Sequence, residues 1–388
     1  MFWEISDPGS MRVRVLIHSL AMDYFGRQAR LREVLSRARY DALLVSHLPN
    51  IHYLCGFTGS SGALLVGADG SVFLTDSRYT QHAKAQVSAR KIVITKKAPA
   101  IAAAEWMSRQ PRLNRSTKAR TLGIEAQYVS VLSRKNLAAA LSKNVRLREA
   151  PPLVEQARMV KDADEIAAIR SAVDLGAGLF DQALRTIRPG VSEIEVAAEM
   201  EYAARRSNAE GMSFETIIAS GPRAALPHGR ASVAAIPARG FVVCDFGVIL
   251  HGYCSDRTRT VYVGAATAEA RRIYDAVLAS QQEAIAVVRP GIKVEQVDRA
   301  ARKTLQKKGL GRYFTHSTGH GVGLEIHEAP RVAKGQQEIL QPGMVITIEP
   351  GVYLSGQWGV RIEDMVVVTD QGCEVLSPTQ KDFIEVGK

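Results

Sequence analysis

The tetrad Arg188-Pro189-Gly190-Val191 recurs as Arg289-Pro290-Gly291-Ile292, and each copy follows one amphipathic helical stretch and precedes another. Beyond each copy lies an apolar run closed by a carboxylate: Gly240-Phe241-Val242-Val243-Cys244-Asp245, and then Gly343-Met344-Val345-Ile346-Thr347-Ile348-Glu349. A helix-helix-strand unit used twice packs as two halves about a pseudo-twofold axis, which brings the two carboxylate-ended strands face to face. Matches this short also arise by chance, so an unduplicated α+β arrangement stays open on pattern alone.

The 388 residues divide at Pro151-Pro152, where regular structure must break. Before the break, the short apolar runs Ala42–Val45, Val72–Leu74, Ile92–Ile94 and Leu122–Ile124 alternate with helix-like stretches such as Arg78–Val87, which predicts a small α/β domain. After it a strong helical period runs from Ala163 to Leu184. The expected division is residues 22–152 and 153–388. Residues 1–21 read as an extension or a start artefact outside the fold.

Composition excludes several classes. With 46% hydrophobic and 23% charged residues, the chain is an ordinary globular one. No window reaches the ~18 apolar residues a membrane span needs, so no membrane role is expected. The four cysteines, Cys55, Cys244, Cys254 and Cys373, form no CxxC pair, which suits free thiols in the cytoplasm. The formal net charge is +11; residues 1–150 hold 23 Lys and Arg against 10 Asp and Glu, and the remainder 27 against 29. The excess is scattered over helical faces, with no interleaved aromatics or nucleic-acid-binding motif, so no nucleic-acid partner is expected.

Asp245 interrupts Phe241–Leu250, a run otherwise fit for burial on both faces. An ionised carboxylate there costs several kcal/mol unless it is neutral, paired or on a metal. Alone, it could equally cap a loop. Asp256 follows the Gly252-Tyr253 turn, so a hairpin would fold it back beside Asp245; the alternative is an exposed pair with Arg257 or Arg259. Glu349 and Glu363 lie in equivalent strand-like contexts of the second half. Four converging carboxylates repel, and two divalent cations would neutralise them. Gly319-His320-Gly321 holds a histidine where glycines allow close approach, with His316 before it and His327 after it. Imidazole with carboxylates suits Mn, Fe, Co or Zn better than Mg or Ca. His228, between Pro227 and Gly229, reads as a turn residue or a further site histidine.

At these residues the chain resembles the pita-bread metallopeptidases, a family that includes methionine aminopeptidase, aminopeptidase P and prolidase. Asp245, Asp256, His320, Glu349 and Glu363 stand in the order of that family's five dinuclear metal ligands. The resemblance runs from about residue 22, and Asn50-Ile51-His52-Tyr53-Leu54-Cys55-Gly56-Phe57-Thr58-Gly59-Ser60 resembles the N-terminal domain of Xaa-Pro peptidases and creatinases. Methionine aminopeptidases lack that domain and creatinases lack the ligands. The implied fold is an α/β N-terminal domain with an α+β pita-bread C-terminal domain built on an internal pseudo-twofold repeat.

The resemblance implies two divalent metal ions, Mn first, with Co, Zn or Fe as alternatives. It implies hydrolysis of the bond before proline, as an Xaa-Pro dipeptidase or, alternatively, as aminopeptidase P on longer peptides. A second alternative is a non-catalytic binding protein, since the fold also serves histone chaperones and nucleic-acid-associated proteins that typically lose the ligands. Asp256 and Glu363 would bridge the metals, Asp245 would hold one, and His320 with Glu349 the other. Glu349 would also shuttle the proton, His228 and His327 would contact the substrate carbonyl, His316 would bind near the proline side, and Arg361 would organise the polar shell. Relatives are usually homodimers whose N-terminal domain covers the partner's site. Two departures stand out: Arg257, where the family often has an aliphatic residue, and Trp358, either a packing aromatic or a specificity wall; both could alter the pocket edge.

Overall fold

A computed structural model describes residues 22–109, 119–377 and 379–387. The 1–21 stretch lies outside the described residues.

The apolar runs of the first part become strands Ala42–Val45, Gly70–Thr75, Lys91–Ile94 and Arg120–Glu125, joined by Ala63–Gly67 and Val145–Ala150 in one six-stranded mixed sheet. Ala42–Val45 lies inside this sheet, between Ala63–Gly67 and Arg120–Glu125, and is buried at every position. Its alternate residues serve two cores: Leu43 and Val45 pack with Leu31, Leu35 and Ile51, whereas Ala42 and Leu44 pack with Ala103, Met107 and Leu137. Helix Leu153–Met159 follows the Pro151-Pro152 break and leads into the second part.

There the duplication takes physical form. Helices Ala163–Thr186 and Glu193–Arg206 pack as one pair, and Ala268–Ala286 and Val294–Lys307 as another. Ser192 and Glu195 close one capping box, and Asp162 with Glu165 closes a second. The first pair buries Phe180, Met200 and Val196 against Val242, Cys244 and Phe246; the second buries Tyr274, Val277 and Leu305 against Ile346, Ile348 and Val366. Each half contributes a sheet. One orders Glu385–Val386, Arg257–Val263, Gly240–Phe246 and Ile217–Ser220; the other orders Glu328–Val332, Gly319–Gly321, Val345–Ile348, Asp364–Val368 and Cys373–Val375.

Two apolar runs are each divided between two strands. Phe241–Leu250 breaks at Gly247, and Val248–Leu250 leaves to pair with Tyr253–Cys254 and Gly211–Met212. A Cβ on Gly247 would sit 1.9 Å from the Ser255 carbonyl oxygen, so only glycine permits that close crossing. Likewise Trp358–Arg361 pairs with Gly351–Leu354, and Asp364–Val368 with Val345–Ile348. Ile362 and Glu363 therefore form the corner between two strands. This corner joins the halves: the Glu363 amide donates to the Thr258 carbonyl at 3.1 Å, and the Arg361 amide to Thr260 Oγ1 at 3.1 Å.

Candidate metal centre and active site

Thr258, not Asp256, stands opposite Asp245 in the antiparallel pairing. Asp256 lies two residues before Thr258 and so shares that face, while Arg257 and Arg259 point the other way. Asp256, His320 and Glu363 each bring a ligand atom within 4.8 Å of the others. His320 Nε2 is 3.5 Å from Asp256 Oδ2 and 3.6 Å from Glu349 Oε1. Asp245 and Glu349 add their fields to the same cluster.

Glu349 is held within its own half, and Glu363 by the other half. The Glu349 amide donates to the Thr318 carbonyl at 2.8 Å, and Thr258 Oγ1 donates to Glu363 Oε2 at 2.8 Å. A Cβ on Gly319 would lie 1.9 Å from the Thr347 carbonyl oxygen, so glycine before His320 lets the two strands close. His320 Nδ1 lies 3.0 Å from the Gly321 carbonyl, which can only accept; Nδ1 therefore carries the proton and the Nε2 lone pair faces the carboxylates. Lone pair against carboxylate is repulsive unless a cation lies between. Burial, reinforced by the neighbouring carboxylates, pushes Asp256 and Glu363 well above the usual range, and burial pushes Glu349 up to about 8 against the opposing field of Arg361. Burial lowers His320 to about 4. Asp245 Oδ1 is buried with no hydrogen-bond partner among the described residues. The oxygen and imidazole donors therefore fit divalent metal ions, which would relieve this strain of charge.

Residues 167–370 match metallopeptidase family M24, and residues 27–160 match the creatinase/prolidase N-terminal domain. The chain belongs to metallopeptidase family M24. An Xaa-Pro dipeptidase of Pyrococcus horikoshii is 33% identical over 362 residues, covering 92% of this chain and 97% of the relative. Among solved structures, an Xaa-Pro dipeptidase from Bacillus anthracis superposes with a TM-score of 0.88 at 36% identity, covering 94% and 100% of the two chains. An X-Pro aminopeptidase from Thermotoga maritima gives 0.83 at 34%, covering 93% and 100%. The second part of the chain is thus the pita-bread fold, and the chain is a metallopeptidase.

Three further histidines and Arg361 stand around the carboxylate cluster. The exposed His327 ring lies edge-on to His320, with centroids 4.5 Å apart. His228 is exposed and close enough to depress both His316 and His327 electrostatically. His316 Nδ1 donates to the Ser317 carbonyl at 2.8 Å, which leaves Nε2 to accept from Tyr353 OH at 3.0 Å. Burial and the Arg361 charge hold His316 neutral, at about 3. Arg361 donates to Asp245 Oδ2 at 2.5 Å, Tyr353 OH at 2.6 Å, Thr258 Oγ1 at 3.0 Å and the Pro227 carbonyl at 3.0 Å.

Tyr353 is a site residue that sequence reasoning missed. It enters only because Gly351–Leu354 folds onto Trp358–Arg361. Glu193 was also missed: the buried carboxylate accepts from Ser220 N and Oγ, Arg223 Nε, and Ser232 N and Oγ, pinning both ends of the loop that carries His228. In the second half Asp298 accepts from Thr318 Oγ1 and Arg302 Nε, and Arg302 holds the Phe314 and His316 carbonyls. The pocket-edge reading of Arg257 is corrected: its strand parity points it to the Ala163–Thr186 helix, where Nη2 donates to the Val173 carbonyl at 3.3 Å. Trp358 packs edge-on against Tyr313, with centroids 5.9 Å apart, and against the apolar core.

No helix among the described residues is long and apolar enough to cross a membrane. The four cysteines are free thiols.

Proposed function

We propose that this M24 enzyme hydrolyses the bond preceding proline in Xaa-Pro dipeptides. The observation that carries the reading is the convergence of Asp256, His320 and Glu363, with Asp245 and Glu349 acting on them, in a chain similar over nearly its whole length to Xaa-Pro dipeptidases. Asp245, Asp256, His320, Glu349 and Glu363 would hold two divalent cations, manganese in the preferred reading, with Asp256 and Glu363 shared. Bound there, the cations supply a water of lowered pKa and stabilise negative charge developing on the carbonyl oxygen.

The chain's own groups complete the chemistry. Glu349, a part-buried carboxylate 3.6 Å from His320 Nε2, takes a proton from the attacking water and returns it to the leaving nitrogen. His327 and His228 donate to the substrate carbonyl oxygen. His316, kept neutral and oriented by Tyr353, forms the proline-side wall. Arg361 holds Asp245 and Tyr353 in register with each other.

Dipeptidase action needs a cation for the free carboxylate of proline. Arg331 is exposed and stands directly opposite His320 in the strand pairing, so the two side chains share a face. This favours dipeptides over the aminopeptidase reading, which the likeness to the Thermotoga maritima enzyme supports. The same reading includes a homodimer, a cytoplasmic location in keeping with the free thiols, and a division into residues 22–152 and 153–388.

The test is proline release from an Xaa-Pro dipeptide by manganese-loaded protein, beside an Xaa-Pro-Yaa tripeptide and a chelated control. Chelator-sensitive cleavage of the dipeptide alone is the expected result. Cleavage of the tripeptide alone assigns aminopeptidase action instead.

A further inference from the structure

The segment Glu325-Ile326-His327-Glu328 places an active-site histidine between two carboxylates, and one guanidinium holds both. Arg158, near the end of helix Leu153–Met159, donates from Nη2 to Glu325 Oε2 at 2.8 Å and to Glu328 Oε1. Its side chain is 3% exposed and that of Glu328 6%, so neither charge is relieved by water. Lys161 Nζ reaches Glu328 Oε2 at 3.3 Å, and Glu328 Oε1 also accepts the Glu325 amide at 3.0 Å, closing the segment on itself. Glu328 pairs with Gly321 in the sheet, one residue from His320.

The other face of Arg158 is tied to the N-terminal sheet. Nη1 donates to Asn50 Oδ1 at 2.6 Å, and Asn50 Nδ2 donates to Glu125 Oε1 at 2.7 Å and Glu155 Oε1 at 2.6 Å. Glu125 Oε2 takes the amides of Ser46 and His47, at 2.7 and 2.9 Å. His47 Nε2 in turn meets Glu325 Oε1 at 3.1 Å. A planar fork spanning two carboxylates fixes direction as well as distance, which a point charge on a flexible stem does not.

We propose that Arg158 is a positioning residue for His327: through Glu325 and Glu328 it sets where the imidazole stands at the metal centre, and through Asn50 it makes that position depend on the docking of the N-terminal domain. The inference rests on the reading of His327 as a substrate-contacting group. Arg158 touches no reacting atom, so its effect must pass through His327.

A double-mutant cycle tests this with the full-length, metal-loaded enzyme. R158K should lower kcat roughly 10- to 100-fold, with KM within about twofold and metal content unchanged. In the H327A background the same change should cost less than about twofold. Should R158K fail to fold, shown by its melting curve, E325Q takes its place with a smaller loss and the same dependence on His327. Equal losses in both backgrounds, or full activity of the folded variants, overturn the proposal alone. Full activity of H327A overturns the reading of His327 and the proposal with it.

Discussion

Arg361 Nη2 donates to Asp245 Oδ2 across 2.5 Å, although one residue closes a strand of the second half and the other lies in a strand of the first. The same guanidinium holds Tyr353, and Tyr353 holds His316. One arginine thus orients Asp245, a metal ligand in the proposed site, and, through Tyr353, His316. Arg361→Lys keeps the charge but loses the fork, and should lower metal affinity or turnover roughly 10- to 100-fold, measured by metal titration and steady-state kinetics.

Metal removal should expose the carboxylate cluster as a pH dependence of stability. Asp256, Glu349 and Glu363 have folded pKa values raised above their unfolded ones, so the metal-free fold holds extra protons and loses stability as pH rises toward about 8, the Glu349 value. His316 and His320 are depressed and act oppositely, but their contribution is fully present above the unfolded value near 6.5. Between pH 6.5 and 8 the carboxyls alone decide. The melting temperature of chelated protein should fall across that window, and that of manganese-loaded protein should not. A flat profile for the chelated protein would contradict the clustering.

Substituting leucine for His327 separates chemistry from metal binding. Turnover should drop roughly 100-fold with the metal content intact, as read by elemental analysis of the purified variant. Loss of metal instead would place His327 among the ligands.

Arg331→Ala addresses the proline carboxylate. The KM for an Xaa-Pro dipeptide should rise roughly tenfold, while that for an Xaa-Pro-amide stays unchanged. Equal effects on the two substrates would remove the carboxylate from the argument.

Glu193→Ala leaves Ser220, Ser232 and Arg223 without their shared acceptor. Chemical denaturation should show a loss of about 3 kcal/mol, and activity should fall further than stability accounts for because the His228 loop is released.

Much of the architecture was legible from local pattern. Pro151-Pro152 marks the break before helix Leu153–Met159, Ser192 and Glu195 announce a helix start, and the strand Ala42–Val45 follows from a short buried apolar run. The repeat of Arg-Pro-Gly foreshadowed two helix pairs. The breaks at Gly247 and at Ile362-Glu363 were not legible, because continuous apolar runs give no sign of changing sheet.

The site divides in the same way. The sequence marks Asp245 and Glu349 as carboxylates closing apolar runs, costly wherever the strands go, and it is the resemblance that joins Asp245, Asp256, His320, Glu349 and Glu363 into one expected ligand set. Arg361 is expected there as an organiser from the resemblance, but the hydrogen bonds that orient the set are not legible. Arg361, Tyr353 and His316 form one chain of hydrogen bonds, Glu193 grips both ends of the His228 loop, and Arg158 spans two carboxylates more than 160 residues further along the chain. Burial cost is a property of a residue and its neighbours along the chain, so it can be read in one dimension; hydrogen-bond direction depends on where separate strands and helices meet, and only the packed structure decides that.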